Sequence, residues 1–75
     1  MDKKLRQEKI KMWKDNLIQL EKELVIIAEK KGAAAAEGDL SENAAYTMAV
    51  EDAETTRVRI NEVKKIIRDL EKGDN

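Results

Sequence analysis

From Ile10 onward, apolar side chains recur at Ile10, Trp13, Leu17, Leu20, Leu24 and Ile27. This strict alternation of three and four residues places them on one face of an α-helix. A second series, Tyr46, Ala49, Ala53, Thr56, Ile60, Val63, Ile67 and Leu70, keeps the same alternation. The spacing predicts an all-α antiparallel two-helix coiled-coil hairpin, with helix 1 over about residues 3–37, a turn at about 38–40 and helix 2 over about 41–72. A connection this short forces neighbouring helices to run antiparallel, and counting outward from it sets the register. Ile27 is expected to face Ala49 and Ala53, Leu20 to face Thr56 and Ile60, and Ile10 to face Ile67 and Leu70.

The turn has its own chemistry. Gly38 is suited to a left-handed helix end, Asp39 to the N-cap of helix 2, and Glu42 to closing a capping box three residues later. Around it the side chains become small, with Ala33 to Ala36 on one arm and Ala44, Ala45, Ala49 and Ala53 on the other. Small side chains let backbones approach closely, so the hairpin is expected to taper to a slender tip. Helix 1 would be roughly 50 Å long at 1.5 Å per residue. Gly32, costing about 1 kcal/mol against Ala in a helix interior, reads as tolerated within a long helix. Trp13 lies on the seam and reads as a packing residue. Lys72-Gly73-Asp74-Asn75 reads as a helix stop and a frayed end.

Composition narrows the chemistry. The 75 residues include no Pro, Cys, His or Phe, and 41% are charged. Without cysteine or histidine there is no thiolate or ordinary zinc site, no disulfide and no imidazole base, so conventional catalytic triads are excluded. Disorder competes on charge content, but the net charge of −1 and the regular aliphatic spacing favour a folded rod. No apolar run approaches the roughly 20 residues of a membrane span and no signal-peptide core follows Met1, so a cytoplasmic location is expected.

The near-zero net charge conceals segregation. No Lys or Arg occurs between Lys31 and Arg57, an interval holding Glu37, Asp39, Glu42, Glu51, Asp52 and Glu54. The remaining 10 acidic residues share the rest of the chain with 15 basic ones. The rod is acidic at its tip and basic along its shaft, which disfavours general nucleic-acid binding through the narrow end. Pairs one turn apart, Lys11 with Asp15 and Lys65 with Asp69, read as ordinary surface pairs. Hard cations such as Mg²⁺ take carboxylate oxygens, so an acidic tip suits one.

The segment Gly38-Asp39-Leu40-Ser41-Glu42-Asn43-Ala44-Ala45-Tyr46 resembles the G-D-L-x-E-N-A-x-Y signature at the coiled-coil tip of the bacterial Gre-type (GreA and GreB) transcript cleavage and elongation factors. The similarity continues more loosely through helix 2 to Ile66-Ile67-Arg68-Asp69-Leu70, and helix 1 matches as an amphipathic helix. The resemblance implies a coiled coil that enters the secondary channel of RNA polymerase. There Asp39 and Glu42 would help hold a catalytic Mg²⁺ against the RNA 3′ end of a backtracked complex, and polymerase, rather than this chain, would be the nuclease. Leu40, Ser41, Asn43 and Tyr46 would be tip contacts, and Lys30, Lys31, Arg57 and Arg59, just behind the tip, would contact RNA or polymerase.

Each of these residues also has a structural reading. Asp39 and Glu42 also read as caps, Leu40 as closing the turn, Asn43 as bonding across it, Tyr46 as packing on the alanines, and the basic residues as solvated. Two carboxylates alone make a weak Mg²⁺ site, so dependence on a partner's ligands is expected. Gre factors carry a globular C-terminal domain, which this chain, ending at Asn75, is expected to lack. Two alternatives stand beside cleavage stimulation: a channel-occupying inhibitor or competitor of Gre factors, and a structural coiled-coil oligomerisation module. Isolated hairpins leave each seam half exposed, and homo-oligomerisation through Ile18, Val25, Ile26 and Ile66 is a further expectation.

Overall fold

The computed structural model describes residues 2–73, except the Leu40 side chain. Two α-helices, α1 (Lys3–Ala35) and α2 (Ala44–Glu71), are joined through a short 3₁₀ turn, Leu40–Glu42. They pack along their length as a hairpin measuring 54 × 16 × 12 Å. Three close approaches mark the antiparallel register. Asn43 bonds to Ala34 near the tip, Lys14 Nζ pairs with Glu71 Oε2 at 3.0 Å in the shaft, and a Cβ on Gly73 would meet the Arg6 guanidinium at 3.5 Å at the open end.

The two predicted stripes form the interface. Leu20, Ile60, Val63 and Ile67 are buried as one cluster, with Trp13, Leu17 and Leu24 packed against it. Toward the tip the core continues through Thr56, Ala53, Ala49 and Ala34, and at the open end Ile10 and Leu70 are half-buried. The α1 stripe runs further than the aliphatic residues alone suggest, because Lys31 and Ala34 extend the same three-and-four spacing beyond Ile27 and are half-buried and buried. α1 passes through Gly32 without interruption.

Local details differ from the sequence expectations. α1 ends at Ala35 rather than near residue 37, and α2 begins at Ala44 rather than near 41. The connection is therefore longer than expected, and Gly38 turns it with φ 125°. Of the alanines flanking the turn, Ala34, Ala49 and Ala53 are buried, whereas Ala33, Ala35, Ala36, Ala44 and Ala45 are exposed. A helix presents only about one residue in three or four to a single neighbour, so a continuous alanine run cannot all face it. Lys11 Nζ and Asp15 Oδ2 pair at 3.0 Å, while Lys65 and Asp69 form no pair. Surface pairs of this kind contribute about 0–1 kcal/mol. Gly73 takes φ 81° and ends α2 as expected; Asp74 and Asn75 lie outside the described residues.

The accessible surface is 5664 Å², against about 4,700 Å² for a compact protein of this mass. That excess is the cost of a rod in which each helix has only one neighbour. Stability then rests on the few residues that meet across the seam. Ile60→Ala should lower unfolding free energy by about 2 kcal/mol or more, whereas Val58→Ala, on the exposed back of α2, should change it by less than about 0.5 kcal/mol. Thermal and urea unfolding followed by circular dichroism checks both values.

Candidate functional site

The tip is built around the problem of two helix ends meeting in water. The last carbonyls of α1 and the first amides of α2 lack intrahelical partners. Asn43 serves both ends. Its side-chain oxygen accepts from the Tyr46 amide at 3.1 Å, capping α2, and its Nδ2 donates to the Ala34 carbonyl at 2.7 Å, nine residues back on α1. The Ala34 carbonyl also accepts from the Glu37 amide at 3.1 Å, using both of its lone pairs. A side-chain amide carries an acceptor and a donor on separate atoms, one for each helix, and these two partners fix which way the Asn43 side chain faces.

Asp39 and Glu42 therefore do not form the capping box of α2 suggested by their spacing. Asp39 instead closes the 3₁₀ turn: its Oδ1 accepts from the Ser41 hydroxyl at 2.8 Å and from the Ser41 amide at 3.0 Å. These two bonds, the hydroxyl's first and then the amide's, hold the Asp39 carboxyl below the ordinary aspartate range. Asp39 stands just before the 3₁₀ turn and Glu42 at its end, and a side-chain interaction with Glu42 adds a smaller lowering to the Asp39 carboxyl. Both are exposed at the apex of the rod. Among the described residues no three acidic, histidine or cysteine side chains are grouped to hold a metal. The donor chemistry fits Mg²⁺ only as part of a ligand set, with one oxygen of Asp39 engaged by Ser41 and the remaining ligands supplied from outside the chain.

The other predicted site residues are placed as follows. Ser41 is exposed and spends its hydroxyl on Asp39. The Leu40 side chain lies outside the described residues. Tyr46 is half-buried, and the Lys31 ammonium sits 5.8 Å from the centre of its ring, within cation–π range. Lys30 lines a groove of about 350 Å³ with Ile27, Ala45, Met48, Ala49 and Asp52. Arg57 and Arg59 are exposed; two positions apart on a helix, they point about 200° away from one another. The four basic residues are thus not gathered into one patch. Sequence reasoning missed Asn43 as the cap of α2 because the Asp39–Glu42 spacing offered a competing box. The Lys31–Tyr46 contact was signalled by Lys31 falling on the α1 seam.

Loss of the doubly bonded amide should be felt at both helix ends. Asn43→Ala should cost about 1–2 kcal/mol, and Asn43→Asp, which keeps the acceptor but loses the donor to Ala34, should fall between Asn43→Ala and wild type in urea unfolding. For Asp39 the sign is fixed by its lowered pKa: the tip's stabilisation by the ionised carboxylate is full above the unfolded-state value and lost as pH falls through the lower folded value. Carboxyl ¹³C titration should place the Asp39 midpoint below that of an unstructured aspartate, and Ser41→Ala should move it up.

Comparison with known proteins bears on the family of the chain. No curated protein and no solved structure matches the chain. The family model described as "Transcription elongation factor, N-terminal", that of GreA and GreB, matches residues 4–71, a span covering both helices and the acidic turn between them. The chain belongs to the GreA/GreB N-terminal family of transcription elongation factors.

Proposed function

We propose that this hairpin acts on RNA polymerase as a transcript cleavage factor, delivering Asp39 and Glu42 through the secondary channel to the polymerase active site. The observation that carries the reading is that Asp39 and Glu42, both exposed, flank the 3₁₀ turn at the apex of a rod only 16 × 12 Å in cross-section. Family membership supplies the transcriptional context.

In this reading each part of the chain has a separate task. The seam makes the rod stiff enough to carry the tip into a narrow channel. Asn43 ties the two arms together at the base of the tip, so that Asp39 and Glu42 hold a fixed position relative to the shaft. The Ser41 hydroxyl and amide keep Asp39 ionised and oriented. Glu42 is exposed and turns its carboxylate to the incoming site. A Mg²⁺ shared between these carboxylates, polymerase carboxylates and the RNA phosphate would activate a water for attack on the phosphodiester. With at most two ligands from this chain, affinity for the ion is weak until polymerase is present. The hairpin is an accessory factor in this scheme, and polymerase performs the cleavage.

Purified backtracked elongation complexes provide the test. With Mg²⁺, the wild-type chain should release short RNA from the 3′ end, and Asp39→Asn or Glu42→Gln should lower the rate by at least about tenfold, a loss typical even of residues supporting metal ligands. Absence of cleavage together with wild-type-like competition against a full-length Gre factor would identify a channel-occupying competitor. Absence of both activities would overturn the channel reading.

A further inference from the structure

One flank of the hairpin is built for a neighbour. On α1, Lys14, Ile18, Glu21 and Val25 follow one another at spacings of four, three and four, and on α2 Glu54, Arg57, Lys64 and Arg68 fall on a single stripe of the same kind. The structure brings these stripes to the same side: Lys14, Leu17, Ile18, Lys64, Ile67 and Arg68 line one groove of about 480 Å³. Its floor is aliphatic, and its rim carries Lys14, Lys64 and Arg68 together with Glu71, which pairs with Lys14 at 3.0 Å and leaves Lys64 and Arg68 as the basic surplus. Further toward the tip the same flank carries Val25, 59% exposed, and Glu54. Ile18 is itself 51% exposed, and half-exposed β-branched residues one heptad apart form a second apolar stripe that the intramolecular seam does not use.

Charge along the rod identifies the occupant. The open end carries the basic surplus and the distal half the six acidic residues between Lys31 and Arg57. Such a rod is complementary to itself when reversed. We propose that this flank binds a second copy of the same chain, antiparallel, with the basic open end of each rod lying against the acidic distal half of the other. Val25 of one copy then enters the groove floored by Leu17, Ile18 and Ile67 of its partner, with Glu54 opposite Lys64. A two-fold axis level with Glu21, midway between Val25 and the Leu17–Ile18 groove, makes both contacts twice, the isologous arrangement that closes a dimer. A face 54 Å long and 16 Å across is on the order of the roughly 800 Å² per partner buried in a standard interface. A parallel pair would set acidic tip against acidic tip and basic end against basic end. The proposal is independent of the cleavage reading, since it concerns the shaft flank and the overall charge distribution.

Sedimentation equilibrium of the 75-residue chain over micromolar to submillimolar concentration tests it. A dimer is expected whose dissociation constant rises at least tenfold between about 0.02 M and about 0.5 M salt, as exposed charge pairs are screened. Ile18→Glu should abolish it, and the Lys64→Glu, Arg68→Glu double variant should weaken it at low salt. Val58→Glu, an equally exposed apolar-to-acid change on the back of α2, should leave it intact. Circular dichroism confirms that each variant retains its helices. Because the chain has no cysteine, single-cysteine variants report orientation: a short cross-linker should join Ser41→Cys to Lys4→Cys and not Ser41→Cys to itself. A monomer throughout the concentration range, a dimer indifferent to Ile18→Glu, or a Ser41-to-Ser41 cross-link would overturn the proposal.

Discussion

Each helix in this molecule has one apolar stripe and one neighbour to cover it, and the rest of the structure depends on that seam. A helix in a larger bundle can lose a contact on one side and keep others. Here Leu20, Ile60, Val63 and Ile67 are the thickest part of the core, and none of them is sealed completely from solvent. The seam sets the register, the register brings Asn43 to Ala34, and that contact sets where the apex stands. The buried residues shrink toward the tip, where Ala34, Ala49 and Ala53 replace the branched side chains.

At the apex, the tasks of holding the fold and presenting charge fall to different residues. A capping box made from Asp39 and Glu42 would have committed both carboxylates to backbone amides of α2. Asn43 takes the cap instead and, with the other end of its amide, satisfies a carbonyl that α1 leaves open. Asp39 instead accepts two hydrogen bonds from Ser41 two residues away, and its charge is stabilised rather than neutralised. The acidic tip can therefore change protonation or ligands without unmaking the helix behind it. A neutral amide at the junction also avoids adding a fourth negative charge to Glu37, Asp39 and Glu42 near the C-terminal carbonyls of α1, where the helix dipole disfavours one.

The shaft shows a different use of charge. Lysines and arginines just behind the tip do not form one basic surface, because their positions distribute them around both helices. Lys31 is drawn onto the Tyr46 ring, and Lys30 borders a groove shared with Asp52. The segregation that matters runs lengthwise, from a basic open end to an acidic apex. Combined with an aliphatic groove on one flank, it gives the rod a surface with polarity along its axis, so that the orientation of a bound rod is determined as well as its position.

The sequence by itself determined the two helices, their antiparallel pairing, the residues of the seam and the acidic apex. These are periodic or additive properties: a three-and-four alternation carries its own geometry, and charge accumulates whatever the local conformation. Family membership was legible for a related reason, because the nine residues from Gly38 to Tyr46 form one contiguous stretch at the place the periodicity reserves for a turn. Tertiary structure alone decided how that stretch is wired. Asp39 followed by Glu42 and Asn43 followed by Tyr46 are both adequate N-terminal signals by spacing. The choice between them depended on a carbonyl nine residues upstream, which the Asn43 amide, unlike the Asp39 carboxylate, meets with a donor. The same holds for the alanines and basic residues near the tip. Sequence places them close to the turn, but which face the seam, a ring or solvent is set by rotation about axes that packing of the two helices fixes.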